Sequence, residues 1–296
     1  MTALVTGGTG FIGPHVVHAL RVRDVAVRAL VRNPTRASRL AAWGVEVVQG
    51  DVTDAASLRE ACVGVDAVVH LVSIIKGSRA DFERVMTEGT RNVVAAAKEA
   101  GVGRFVLTSA LGLDERSREA VPYFGAKWQM EQAVEQSGLE HTILRPSFVF
   151  GRDGGVLPTF VRLARFAPVT PIVGAGTQRL QPIWVEDLAE HYALALDLPE
   201  ASGRTFELGG PDTVTWDEFW ARLKRVLGVR RPSLHVPIGL LRAQAALTER
   251  LPGAPVTRDQ LTMLELGDNV VADASAAETF QLPLVPLDEQ LRRAAS

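Results

Sequence analysis

Short runs rich in β-branched residues alternate with amphipathic stretches through the first half of the chain. The runs Ala3–Thr6, Val25–Val31, Val45–Val48, Ala67–Leu71, Arg104–Thr108 and His141–Leu144 predict strands. Between them the apolar period lengthens to that of a helix. Phe11–Val22 places Ile12, Val16, Val17 and Leu20 on one face. Phe82–Ala100 does the same with Val85, Val93, Val94 and Ala97, and Gly101 follows as a C-cap. Phe124–Ser137 is a third helix, closed by Gly138. Strand, helix and strand in strict order imply right-handed crossovers, hence an α/β fold with a doubly wound parallel sheet.

The pattern changes near Gly151. Residues 152–182 hold many prolines and glycines around one short helix, Leu157–Phe166. A helix at Val185–Leu198 and a strand at Arg204–Leu208 then read as a return to the sheet. Trp216–Leu227, Ile238–Leu251 and Thr257–Leu266 read as further helices. The expected organisation is a sheet domain over 1–150, rejoined by 183–210. A smaller, partly interleaved C-terminal lobe would comprise 151–182 and 211–296. No repeat, low-complexity tract or charge block interrupts the chain.

Composition narrows the functional classes. The 296 residues are 47% hydrophobic and 22% charged, an ordinary globular balance. A net charge of −2 argues against a nucleic-acid or anionic-membrane partner. The single cysteine, Cys62, excludes an internal disulfide and a cysteine-rich metal site, and reads as a small apolar packing residue. No metal site is expected: His15 and His18 lie three apart on a helix without a carboxylate at matching spacing. The longest largely apolar stretch, 67–75, is broken by His70 and Ser73 and is too short to span a membrane. No basic segment precedes the first strand, so the cytoplasm is the expected compartment.

Candidate chemistry begins between the first strand and the first helix, at Thr6-Gly7-Gly8-Thr9-Gly10-Phe11-Ile12-Gly13. Glycine permits the tight turn, the approach of backbone to a pyrophosphate and close helix–strand packing. The helix N-terminus then turns free N–H groups towards phosphate. The order TGxxGxxG resembles the short-chain dehydrogenase/reductase superfamily. It is closest in pattern to the extended and atypical branch, which includes sugar-nucleotide epimerases and the Rossmann accessory subunit of respiratory complex I. Leu30-Val31-Arg32-Asn33-Pro34, Gly50-Asp51-Val52, Gly89-Thr90-Arg91-Asn92, Leu144 to Gly151 and Val185-Glu186-Asp187-Leu188-Ala189 fit that branch. The resemblance covers about residues 1–210 and implies a Rossmann fold that binds NAD or NADP. On the matching positions, it implies cofactor contacts at Gly7, Thr9, Gly10, Phe11, Ile12, Arg32, Asp51, Val52, Leu71, Val72, Lys127, Pro146 and Phe148. Pairing of two copies through the helices at 82–100 and 124–137 is common in such folds.

Tyr123 and Lys127 form Tyr-x-x-x-Lys at the start of a helix, where residues four apart share a face. With two tyrosines and four lysines in the chain, chance gives this spacing about 0.03 times. The ammonium would lower the phenol pKa, so that Tyr123 could exchange a proton with a substrate oxygen while hydride moves. In the family resembled, the lysine also holds the nicotinamide ribose. Ser109, after the fifth strand, is the candidate carbonyl-orienting hydroxyl; a register shifted by one would put Ala110 there. The asparagine that classical members carry before the Gly-Thr of the fourth helix is missing from Val85-Met86-Thr87-Glu88.

Weaker signals have two readings each. Glu131 and Lys127 form an i,i+4 pair of opposite charge that would stabilise the helix. Asp51 would contact adenine or cap the following turn. Arg179 would bind a phosphate or lie solvated. Trp216 and Trp220 read as core packing more readily than as a stacking platform. Strand two ends without the carboxylate of an NAD site and offers Arg32 instead, followed by Arg36 and Arg39, so NADP is the expected cofactor over NAD. The resulting expectation is an NAD(P)-dependent oxidoreductase or epimerase of a small-molecule substrate. The alternative is an NADP(H)-binding assembly subunit or redox sensor without turnover.

Overall fold

The computed structural model describes residues 1–249 and 257–295. Among them, seven strands form one parallel sheet: β1 (Thr2–Thr6), β2 (Ala26–Val31), β3 (Glu46–Gln49), β4 (Ala67–His70), β5 (Arg104–Thr108), β6 (His141–Pro146) and β7 (Arg204–Leu208). Their order is β3-β2-β1-β4-β5-β6-β7, the Rossmann arrangement with one further strand. The order reverses between β1 and β4, which pair through Ala3↔Ala67 to Thr6↔His70. A crevice therefore opens beyond the carboxyl ends of these two strands, where such sheets take ligands.

Each face of the sheet buries its own apolar layer. On one face, Val16, Val17 and Leu20 of helix Gly13–Val22 pack with Leu188 and Tyr192 of helix Val185–Asp197. On the other, Leu58, Val93, Met130 and Val134 come from helices Ala55–Cys62, Gly89–Glu99 and Pro122–Glu135. Cys62 belongs to this second layer, and burial pushes its thiol up to about 11. A third cluster gathers Phe150, Phe160, Phe219 and Trp220, with Trp216 against it. Trp216 and Trp220 are thus packing residues, in edge-on contact with Phe160 at 5.7 and 5.2 Å.

Several elements differ from the sequence pattern. The first helix starts at Gly13 because Phe11 leaves the helical path to pack against the loop at 151–155. The long helix expected over Phe82–Ala100 is three pieces: Arg79–Phe82 behind a Ser78 capping box, a wide π-type turn at Glu83–Glu88, and Gly89–Glu99. The wider turn rotates the face, so Met86 and Thr87 are buried where the α-helical period selects Val85. Helix Ala55–Cys62 has no strong apolar period and is set by its Asp54 cap. Three short strand pairs also lie outside the main sheet: Val149–Phe150 with Ile183–Trp184, Thr170–Val173 with Ser233–Val236, and Arg179–Leu180 with Val214–Thr215. The helix expected at Ile238–Leu251 covers Ile238–Thr248; its expected end at Arg250 and Leu251 lies outside the described residues. No described helix is long and apolar enough to cross a membrane.

Candidate active site

The loop after β1 turns at Gly7, whose φ of +76° belongs to the left-handed region open to glycine. A Cβ there would also lie 3.1 Å from the backbone of Leu71 and Val72, so the loop lies directly against the end of β4. At Gly13 the contact is closer still: a Cβ would come within 2.5 Å of the Gly7 and Gly8 backbone. These two positions hold the loop flat over the start of helix Gly13–Val22, with Gly10 at its exposed tip. Leu71, Val72 and the Gly7–Ile12 segment are therefore brought to one mouth.

The second half of the site is built on the end of β5. Lys127 is fully buried and donates from Nζ to the Thr108 carbonyl at 2.7 Å. The Thr108 hydroxyl accepts from the Tyr192 hydroxyl at 2.7 Å. One residue carries both contacts, and Ser109 follows it with its amide on the Leu144 carbonyl at 2.7 Å. The Ser109 hydroxyl is buried without a hydrogen-bond partner among the described residues. A buried hydroxyl left in this state is disfavoured and is ready to meet a ligand oxygen. Tyr123, one turn before Lys127, is half-buried, with its ring centroid 5.8 Å from Nζ.

Electrostatics correct one expectation. Burial pushes the Lys127 amine down to about 7, against the opposing pull of Glu131. Burial also holds the Tyr123 phenol above its ordinary value, with Ser73 beside it pulling the other way. The phenol is therefore not lowered: desolvation outweighs the Ser73 hydrogen bond. Below the pair, His70 is buried between two threonines. The Thr90 hydroxyl donates to the Met86 carbonyl at 2.6 Å, so it accepts from His70 Nε2 at 3.0 Å. Nδ1 then accepts from the Thr6 hydroxyl at 2.6 Å. Burial, with the charge of Lys127 adding to it, holds this ring neutral with a pKa near 3.

The family described as NAD(P)H-binding matches residues 7–160. The chain belongs to it, as an atypical short-chain dehydrogenase/reductase. The family described as RmlD substrate binding domain matches residues 118–249. A (4-alkanoyl-5-oxo-2,5-dihydrofuran-3-yl)methyl phosphate reductase of Streptomyces griseus is 34% identical over 94% of this chain and 91% of its own. The ceramide reductase of Caulobacter vibrioides is 30% identical over 81% and 75%. Subunit 9 of the NADH dehydrogenase [ubiquinone] 1 alpha subcomplex of Rattus norvegicus is 28% identical over 99% and 80%. Among solved structures, the NADPH-dependent quinone oxidoreductase QOR2 of Escherichia coli, complexed with NADPH, superposes with a TM-score of 0.79. It is 25% identical over 98% of each chain.

In this short-chain reductase scaffold, the remaining sequence candidates separate. Arg32 follows β2, exposed and without an ion pair or hydrogen bond among the described residues. Asp51 is engaged by the Thr53 amide and hydroxyl, both at 2.8 Å, which is the turn-capping reading. Val52 is buried against Gly89, and its carbonyl accepts from Asn92 at 3.0 Å. Pro146 ends β6, and the Phe148 amide donates to Asn269 at 3.2 Å. Glu131 corrects the sequence: its carboxylate takes a two-point contact from Arg145, at 2.8 and 2.6 Å, while Lys127 turns to Thr108. Arg179 is held by Asp268 at 2.7 Å, so it is neither a free phosphate ligand nor simply solvated. His15 meets Asp153 at 3.4 Å and His18 stacks edge-on with Trp43. The contacts of Thr108, Tyr192, His70 and Arg145 were not legible in the pattern, since each acts through a partner distant in sequence.

Proposed function

We propose that this protein is an NADPH-dependent carbonyl reductase in which Tyr123 protonates the substrate oxygen. The observation that carries this reading is the cluster at the end of β5: a buried lysine, a half-buried tyrosine one turn away, and a serine hydroxyl unpartnered among the described residues. A phenol held above its ordinary pKa is neutral at working pH and can give up a proton, which suits reduction. Ser109 donates to the same oxygen and orients it. Lys127, fixed by Thr108, holds the cofactor ribose and favours the phenolate that remains.

The glycine cradle and the orphan hydroxyl fit a dinucleotide. Gly7, Thr9, Gly10, Phe11 and Ile12 would hold its phosphates, Arg32 a 2′-phosphate, and Val52, in the turn that Asp51 caps, the adenine side. Leu71, Val72, Pro146 and Phe148 would flank the nicotinamide half. When bound, the nicotinamide supplies the hydride. Reductase-named relatives support the reading, and the NADPH-bound quinone oxidoreductase supports the cofactor. A cytoplasmic enzyme that pairs through helices Gly89–Glu99 and Pro122–Glu135 belongs to the same proposal. The likeness to a respiratory-complex subunit favours a second reading, a cofactor-binding module without turnover.

Tyr123→Phe separates the two. The ring still fills its place, so NADPH affinity by calorimetry stays near that of the wild type. Turnover of a ketone falls by about 10² to 10⁴. A mutant that reduces the same ketone at the wild-type rate removes Tyr123 from the chemistry.

A further inference from the structure

We infer that the substrate carries its carbonyl on a large hydrocarbon body, seated on the apolar side chains of Ile74, Ala110, Met263 and Leu266 that pack with Tyr123, with the exposed Ile75 next to Ile74 in the chain. This rests on the reductase reading above. Tyr123 belongs to a small cluster centred on Leu113, Val121 and Phe124, against which Ala110, Met263 and Leu266 also pack. On its other side, Val72 and Ile74 lie with the tyrosine against the sheet layer. Ile75, two residues after the Ser73 that meets the Tyr123 hydroxyl, is 62% exposed. A large apolar side chain left in water beside a reacting group marks a place where an apolar ligand gains by burial.

Further apolar side chains are exposed on the helix next to Met263. Helix Arg258–Glu265, which leads from Met263 to Leu266, packs against helix Ile238–Thr248. That neighbour leaves Leu240 and Leu247 exposed at 64% and 83%. Two arginines are already occupied by chain neighbours of Met263 and Leu266: Arg242 by Glu265 and by Thr262 at 3.1 Å, Arg179 by Asp268 at 2.7 Å. A nucleotide-sugar diphosphate would have to break these pairs to gain a counter-ion, whereas a hydrocarbon body leaves them intact.

The test is calorimetric titration of butanone, octanone and dodecanone into the NADP-loaded protein, with UDP-glucose as the polar comparison. Affinity is expected to rise by about fourfold per methylene until the body covers these side chains. Ile75→Asp, at an exposed position that the fold does not depend on, flattens that rise, and Leu266→Asp repeats the result from the other lobe. Equal affinity along the ketone series, or UDP-glucose binding more tightly than dodecanone, overturns the inference. Turnover of the same ketones with NADPH is read separately. Length-dependent binding without any turnover overturns the reductase reading alone, and turnover without length dependence overturns the apolar body alone.

Discussion

Arg32 stands exposed just after β2, without an ion pair or hydrogen bond among the described residues, at a position where a carboxylate would select against a 2′-phosphate. A charge-assisted contact there is worth about 1.5–3 kcal/mol. NADPH should therefore bind at least about tenfold more tightly than NADH. Arg32→Ala should erase most of that difference with little change for NADH, by titration of both cofactors against both proteins. Lys127 gives a second expectation at this scale. Its amine, pushed to about 7, is charged below that pH and neutral above it. If the ammonium is the working form, kcat/KM falls as pH rises through about 7. Glu131 raises the lysine pKa, so Glu131→Gln should move that falling limb to lower pH; an unmoved limb excludes the coupling. Tyr123, Lys127 and Ser109 were legible because their spacing and strand-end position have chemical meaning. The partner of Glu131 was not legible, because Arg145 lies 14 residues away on a strand and the i,i+4 rule points to Lys127 instead.

The glycine loop after β1, as an element, treats its glycines unequally. A Cβ at Gly10 would come within 3.2 Å of the Gly7 carbonyl and otherwise meet open space, whereas one at Gly13 collides with two backbone residues at 2.5 Å. Gly10→Val should therefore fold with near-normal melting and lose NADPH binding, because the branched side chain fills the phosphate space. Gly13→Ala should lose affinity and also about 1–3 kcal/mol of stability as the loop is forced away from the helix. Denaturant unfolding with and without NADPH checks both; equal stabilities of the two variants would contradict the packing described. The loop was readable since its glycines sit between a β-branched run and an amphipathic helix. The π-type turn at Glu83–Glu88 was not, since its apolar residues fit an α-helical face almost as well. The three short strand pairs escaped for a different reason. Runs of two to four residues carry too few alternations to register, and their partners lie tens of residues away.

At the scale of the whole molecule, the alternating first half set the parallel sheet, and the return of the chain at β7 was visible in the short run Arg204–Leu208. The described residues after β7 were less legible, because their order comes from an aromatic cluster and long-range caps rather than from period. Phe11 ties the loop after β1 to the segment at 151–155. Its ring occupies the space that side chains at Gly151, Gly154 and Gly155 would need, with Cβ positions there falling 2.7, 2.2 and 2.9 Å from ring atoms. Asp153, in the same loop, reaches His15 at 3.4 Å and Arg39 at 3.6 Å. Phe11, from the glycine loop after β1, thus packs into the turn at residues 151–155. The consequence is calorimetric. The chain should melt as a single endotherm, and NADPH at about a hundredfold over its Kd should move that whole peak upwards, since about 2.7 kcal/mol of binding free energy is shared by both parts. Phe11→Ala should split the transition, leaving a ligand-responsive peak and a second one that NADPH no longer moves.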